Sequence, residues 1–221
     1  MYMLGQICRF AVGVLEKGKS PPLAMRDALA VAMKLFHVEF DPSQNWAMKL
    51  KDNALQAAGL IFIAHPTLMV KSEADGLVSS TISVEAPAKL KIRCLGNLLE
   101  LLKSEEDRLL VKQKDGDEEV KEKQMLASSG IRVSAAVALQ TQNGEGDSVS
   151  LASGLIQRYW DRVLKLATDV PIKGENTRED AQETVMAVRQ RAFELMEAVL
   201  RAGLVAPWTA VPHMVALSTD P

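Results

Sequence analysis

The stretch MKLKDNALQAAG, residues 48–59, decides the fold because a similar stretch occurs twice more in the chain. AKLKIRCLGNLL follows at residues 88–99, and MAVRQRAFELME follows at residues 186–197. In each copy a small residue precedes a large apolar residue, and a basic residue stands three positions before the small one. The small residues are Ala54, Cys94 and Ala192, the large ones are Leu55, Leu95 and Phe193, and the basic ones are Lys51, Lys91 and Arg189.

The spacing of these copies predicts a repeat architecture. Cys94 follows Ala54 by 40 residues, and a period near 40 with two helices per unit is typical of HEAT and armadillo arrays. A small residue lets the second helix of one unit approach its neighbour closely, and the large residue beside it fills the remaining space. No unit can bury its apolar face alone. The pattern therefore predicts an all-α HEAT-repeat α-solenoid of stacked antiparallel helix pairs.

The composition of the 221 residues favours the same class, since 48% are hydrophobic and only 5% are aromatic. Strong helix formers dominate over the aromatic residues that strands prefer.

A net charge of −2 excludes a strongly basic nucleic-acid binder, so that any DNA contact would come from a local patch. Two cysteines form no disulfide framework. The N-terminus lacks a signal pattern, and no apolar run reaches the roughly 18 residues of a membrane span. We expect an intracellular, soluble chain.

Apolar periodicity divides the chain into helical regions and one charged region. Residues 1–102 are predicted to form HEAT-like helix pairs, and residues 148–221 resume them. Residues 103–147 form a charged, glycine-containing insertion that we expect to be largely disordered. Helices are predicted at residues 2–16, 23–38, 46–64, 66–80, from residue 87, and at residues 148–168, 178–201 and 207–217. In the second of these helices the predicted buried face is Leu23, Ala24, Ala28, Val31, Leu35 and Phe36.

The closing stretch AGLVAPWTAVPHMVALSTDP, residues 202–221, reads as the start of another unit. Gly203 is a predicted C-cap, Pro207 opens a first helix, and Pro212 is expected to kink it. Asp220 and Pro221 resemble the corner that leads into a second helix. We therefore expect the array to be truncated at its C-terminus.

Five segments in order carry a resemblance to a known family. They are LGQICRF (4–10), KDNALQAAGLIFIAHPTLM (51–69), KLKIRCLGNL (89–98), GLIQRYWD (154–161) and VLRAGLVAPWTAVPHMVALSTDP (199–221). Together they resemble the C-terminal region of the Nipped-B/Mis-four/adherin family, the large subunit of the cohesin loader. GLIQRYWD looks most like plant-lineage members.

The resemblance implies a nuclear, chromatin-bound, hook-shaped HEAT solenoid. Such a protein binds the cohesin SMC–kleisin ring and double-stranded DNA without sequence preference, and promotes loading and sister chromatid cohesion. The family's smaller TPR-type subunit binds a distant N-terminal part of the parent protein. A generic HEAT adaptor, of the transport-receptor or phosphatase-scaffold type, is the alternative that the 40-residue period leaves open.

Motifs for catalysis, cofactors or metals are absent from the sequence. His37, His65 and His213 are far apart, and no CxxC, HExxH or phosphate-binding loop occurs. We therefore predict no enzymatic activity, no cofactor and no membrane partner. Cys8 and Cys94 are interpreted as small core residues, and Tyr159 with Trp160 as inter-helix packing.

The remaining candidates are basic residues at matching places in the three repeated stretches. In a stacked array these places form a ladder along one face, and helix N-termini add a favourable dipole for phosphate. One interpretation is a solvated face, or pairing with acidic residues of a neighbouring corner. The other is a stripe that faces DNA phosphates or an acidic partner. The candidate stripe comprises Lys49, Lys51, Lys89, Lys91, Arg93, Arg189 and Arg191.

Overall fold

The computed structural model describes residues 23–39, 45–70, 72–83, 85–116, 147–168 and 179–218. Every regular element in these ranges is helical, which confirms the all-α class. The α-helices are α1 (Leu23–His37), α2 (Asn45–Ala64), α3 (Ser72–Thr81), α4 (Ala88–Gly116), α5 (Asp147–Thr168), α6 (Glu179–Arg201) and α7 (Val211–Ser218). Short 3₁₀ helices, Pro66–Val70 and Pro207–Thr209, precede α3 and α7. Outside the described residues lie the predicted helix at residues 2–16, residues 117–146 of the predicted insertion, and the predicted corner at residues 220–221.

The helices form two layers. The second-helix layer consists of α2, α4 and α6, with α4 packed between the other two. The first-helix layer consists of α1, α3, α5 and α7, in which α5 contacts Pro66–Val70 on one side and α7 on the other. Each layer covers the apolar side of the other, since α1 packs on α2, α3 on α4 and α5 on α6.

Hydrogen bonds give the direction of α2 and α4 within their layer. Arg93 on α4 pairs with Asp52 on α2, and Asn97 on α4 donates to the carbonyl of Leu55. Because both partners advance together along the chain, α2 and α4 are parallel.

Helices of one pair run the opposite way. Gln157, in the middle of α5, donates to the carbonyl of Leu204 just after α6, whereas Ala167 at the end of α5 accepts from Arg189. As one position advances the other retreats, so α5 and α6 are antiparallel. Antiparallel pairs whose second helices stack in parallel are the arrangement of an α-solenoid, as predicted.

The small residues of the repeat lie at the interfaces between helices. Ala54, Cys94 and Ala192 are all buried, as expected where two helices approach closely. Helices α2 and α4 approach closely at Gly59, where an added Cβ would overlap the side-chain amide of Asn97. Glycine at this position thus lets the two second helices pack in contact.

The predicted packing of Phe193 is wrong. Its counterparts Leu55 and Leu95 are buried, but Phe193 is 43% exposed. The physical reason is position in the array: α4 packs over α2 and α6 packs over α4, whereas no further second helix follows α6 among the described residues.

The predicted face of α1 is also partly wrong. Val31 is 47% exposed and Ala24 is exposed, while Ala28 is buried as expected. Apolar residues occur on both sides of Ala28, so the periodicity could not fix the rotation of the helix. The residues that α1 buries are Met25, Ala28, Leu29, Ala32 and Met33.

Helix ends follow local chemistry. α2 ends before His65 and Pro66, as predicted, because a residue before proline disfavours the α conformation. α6 ends in a Schellman motif: Gly203 has φ 66°, its N–H donates to Leu200, and the N–H of Leu204 donates to Val199.

Two other helix ends differ from the prediction. α4 continues to Gly116, past residue 103 where the composition becomes charged. The last helix is divided, because Ala210 separates Pro207–Thr209 from α7, so that Pro212 lies in the first turn of α7 instead of kinking a longer helix.

Candidate functional site

All seven basic residues of the candidate stripe lie on the second-helix layer, but they differ in exposure. Lys49 and Lys89 are exposed. Lys51, Arg93 and Arg191 are half-buried, and Lys91 and Arg189 are buried. The third copy also lies far from a helix start, since α6 begins at Glu179, so the dipole of an N-terminus does not act at Arg189 or Arg191.

The matching positions Lys51, Lys91 and Arg189 turn toward the packed side of the layer. Arg189 donates from Nε to the carbonyl oxygen of Ala167 on α5, at 3.2 Å. The ammonium of Lys51 lies 6.0 Å from the ring centroid of Phe36 on α1, a distance compatible with a cation–π contact. Lys51 and Arg189 therefore connect the layers, and Lys91 is buried. The three residues do not form an exposed ladder.

Arg93 makes the ion pair that the alternative interpretation predicts. Its Nε lies 2.8 Å from Oδ1 of Asp52, and its Nη2 lies 3.2 Å from Oδ2. The hydrogen bonds that Arg93 donates to Asp52 are the main cause of the raised pKa of Arg93. Because Asp52 is buried, this two-point contact compensates its desolvation and holds α4 against α2.

Three of the candidate residues meet in one cleft. The α4 cleft is a space of about 450 Å³ over the outer face of α4, bordered by α2 on one side and α6 on the other. Its charged lining residues are Lys89, Arg93, Lys103, Arg191, Asp52 and Glu100. Four basic and two acidic groups give the lining a formal charge of +2, opposite to the −2 of the chain.

Sequence reasoning missed Lys103 and Gly96, which also line the cleft. A signal was available, because Lys89, Gly96 and Lys103 are spaced seven residues apart and therefore share one face of a helix. The expected break at residue 103 separated Lys103 from the helix to which it belongs.

The segment GLIQRYWD has a structural role at the centre of the first-helix layer. The hydroxyl of Tyr159 donates to Oδ1 of Asp75 on α3, at 2.5 Å. The indole N–H of Trp160 donates to Oγ1 of Thr209, at 2.9 Å. Both rings are buried, which confirms the prediction that they serve inter-helix packing. One turn of α5 thus connects α3 with the segment before α7.

Burial and hydrogen bonding change the acidity of these groups. The hydrogen bond from Tyr159 is the main factor that lowers the pKa of Asp75, and Arg158 lowers it further. Burial, followed by the same hydrogen bond, raises the pKa of Tyr159. Burial also raises the pKa of Cys94 to about 12, so its thiol stays protonated at neutral pH. This agrees with its interpretation as a core residue.

Comparison with known proteins shows similarity to one family. Residues 152–221, from α5 through α7, match the Nipped-B_C family model, which is described as "Sister chromatid cohesion C-terminus". The whole chain aligns with the Nipped-B-like protein of Mus musculus, at 25% identity over 224 residues. The chain is therefore similar to Nipped-B proteins over its whole length.

Two further Nipped-B proteins align over most of the chain. The Nipped-B-like protein scc-2 of Caenorhabditis elegans is 26% identical over 175 residues, which is 78% of the chain. The Nipped-B protein of Drosophila melanogaster is 24% identical over 219 residues, which is 96% of the chain. These are animal proteins, so the plant lineage stays a prediction.

The chain spans only a small part of its Nipped-B relatives. It covers 7% of the mouse and nematode proteins and 9% of the fly protein. The family match begins within α5 and includes the Tyr159 and Trp160 contacts.

The residues that the structure describes contain neither a helix suited to span a membrane nor a cluster of metal-binding side chains. Within those ranges, none of the helices combines the length and apolarity that crossing a bilayer requires. Nor do any three His, Cys, Asp or Glu side chains there group closely enough to hold a metal ion.

Proposed function

We propose that this chain is a segment of a cohesin loader that scaffolds contact with the SMC–kleisin cohesin complex and with DNA. In this role it promotes cohesin loading onto chromatin and sister chromatid cohesion. The observation that carries the proposal is the similarity of the whole chain to Nipped-B-like proteins, together with a family description that names sister chromatid cohesion. The proposal places the protein in the nucleus.

The architecture supports a scaffolding role rather than an enzymatic one. Stacked helix pairs expose long faces that neighbouring units continue, which is how solenoids bind extended partners. The second-helix layer offers such a face, with exposed Lys49 and Lys89 and the α4 cleft. Binding of the smaller TPR-type subunit is assigned to other parts of the parent protein.

The proposal also includes contact with DNA, and the candidate residues for this contact are exposed lysines. Contacts from Lys49 and Lys89 to phosphates would not depend on base sequence and would weaken with salt. Lys91 and Arg189 are buried, so substitutions there would test folding instead.

The two partners can be tested separately. Pull-down with an SMC–kleisin complex tests the protein contact, and a gel shift with duplex DNA over a salt series tests the DNA contact. We expect Lys49→Glu with Lys89→Glu to weaken DNA binding and to reduce the slope of its salt dependence by about 2, one for each phosphate that a lysine no longer neutralises. The matched control is Lys34→Glu with Lys165→Glu, two exposed lysines of the first-helix layer.

Failure to bind either partner at low salt would contradict the loader function of this segment. Binding of protein partners without DNA would favour the alternative, a generic HEAT-repeat adaptor. A cohesin loader and a generic HEAT-repeat adaptor share the packing of helix pairs, so the fold alone does not distinguish them.

A further inference from the structure

Gly96 lies on the floor of the α4 cleft, and no contact among the described residues requires a glycine there. Glycine weakens the interior of a helix relative to alanine. At Gly59 the close approach of Asn97 explains it, but a Cβ at Gly96 would meet no heavy atom within 4 Å. The backbone offers no reason either, because Gly203 is the glycine with positive φ among the described residues. Glycine at position 96 therefore costs helix stability, and no contact among the described residues requires it.

The surroundings of Gly96 indicate what approaches it. Lys89 and Lys103 lie seven residues before and after it on the same helix face, and both line the cleft. Their separation of 14 residues corresponds to about 21 Å along a helix, which an extended chain of about six residues would span. Arg191 borders the same space from α6, and Glu100 adds an acceptor.

We propose that the α4 cleft binds an extended acidic peptide segment of a protein partner, with the peptide backbone passing over Gly96. Carboxylates of the segment pair with Lys89, Lys103 and Arg191, while Glu100 accepts a backbone N–H. The assignment rests on the scaffolding function proposed above and gives the chemistry of one of its protein contacts.

Nucleic acid fits the cleft less well. The side chains named along the lining include no aromatic ring on which an unpaired base could stack. A rigid duplex would touch the rim without reaching the floor, so it would not require glycine at position 96. A peptide backbone is narrow enough to use that space.

Fluorescence anisotropy on the full chain tests the assignment. The probe is a fluorescein-labelled peptide of alternating Glu and Gly, about eight residues long so that it spans the cleft. We expect salt-sensitive binding that falls about tenfold in Gly96→Phe, which fills the floor, and about tenfold in Lys103→Glu, which reverses a lining charge. Gly76→Phe is the control, because Gly76 is also a helical glycine with open space at its Cβ position, but lies on α3 outside the cleft.

Four outcomes would overturn the assignment. They are an equal loss of binding in Gly96→Phe and Gly76→Phe, no loss in either cleft variant, equal binding of a Lys–Gly peptide, and loss of duplex DNA binding in place of peptide binding. Circular dichroism confirms that each variant is folded. The pull-down and the gel shift do not depend on this peptide. The loader function can therefore hold if the cleft assignment fails, and the cleft assignment can hold if the loader function fails.

Discussion

At the scale of single residues, Gly59 and Asn97 set the distance between α2 and α4. The amide of Asn97 donates to the carbonyl of Leu55, at 2.9 Å, directly above the position where Gly59 has no side chain. The two helices therefore meet through a side chain on one and a backbone surface on the other. Gly76 and Gly96 have open space at the same distance, so the three glycines are not equivalent.

Alanine substitutions at Gly59 and Gly76 should change stability in opposite directions. Gly76→Ala removes backbone freedom from the unfolded chain without a clash, and should stabilise by about 0.5–1 kcal/mol. Gly59→Ala should destabilise by about 1–3 kcal/mol, because Asn97 must move and its hydrogen bond is lost. Urea unfolding measures both changes in stability, provided that the free energy of unfolding depends on urea concentration with the same slope in each variant. Stabilisation by Gly59→Ala would contradict the close approach, and adding Asn97→Ala should recover part of the loss.

At the scale of elements, α5 fixes the register of the first-helix layer. Tyr159 reaches Asp75 on α3, and Trp160 reaches Thr209 before α7. Arg158 adds an ion pair to Asp75, at 3.1 Å. Because α5 holds the helices on both sides, the family match that begins there covers an element on which the stacking depends.

The contact between Tyr159 and Asp75 should make stability depend on pH in a defined direction. The hydrogen bond lowers the pKa of Asp75 from its ordinary 3.8. The stabilisation that this hydrogen bond provides is therefore complete above pH 3.8 and is lost as the pH falls through the lower pKa of the folded state. Tyr159→Phe should cost about 1 kcal/mol at pH 7, since the carboxylate is partly exposed. The difference from the unsubstituted chain should narrow as pH falls below 3.8, because the carboxyl group of the unfolded chain then binds a proton more readily than that of the folded chain.

A double-mutant cycle isolates that contact from other effects of the ring. Tyr159→Phe and Asp75→Asn, alone and together, give a coupling energy at each pH from thermal or urea unfolding. We expect coupling at pH 7 that decreases toward pH 3. A coupling energy that does not change over this range would show that the carboxylate form of Asp75 is not the partner that matters.

At the scale of the whole molecule, the repeat predicts which residues are buried better than which are available to a partner. Residues i and i+3 share a helix face, so a basic residue three positions before a buried Ala54, Cys94 or Ala192 turns inward with it. This explains the burial of Lys91 and Arg189. The prediction of a solvent-exposed basic stripe overlooked that these residues share a helix face with buried ones.

Other contacts were beyond the reach of sequence reasoning. Tyr159 and Asp75 are 84 residues apart, and no local periodicity records such a pairing across the charged region. The exposure of Phe193 depends on whether a neighbouring helix packs over it, which its own stretch does not encode. The α4 cleft likewise combines three helices, although the spacing of its central residues could have been read from α4 alone.

Copies of the chain should associate through exposed apolar side chains. Among the described residues, the large apolar side chains that are exposed belong to α1, the residue after it and α2, or to α6 and the segment that follows it. Phe193 and Val215, 43% and 58% exposed, belong to the second group. Apolar end faces of solenoids favour association unless they are capped. We therefore expect sedimentation velocity to show oligomers that increase with protein concentration.

Charged substitutions at one end should reduce that association while leaving the fold intact. Phe193→Glu with Val215→Glu should shift the distribution toward monomer and change the free energy of unfolding by less than about 1 kcal/mol, because both side chains are exposed. The control is Leu95→Glu, at the buried counterpart of Phe193, which should unfold the chain because a buried carboxylate has no compensating partner there. If the double variant associates as strongly as the unsubstituted chain, the end formed by α6 and α7 is not the surface through which copies meet.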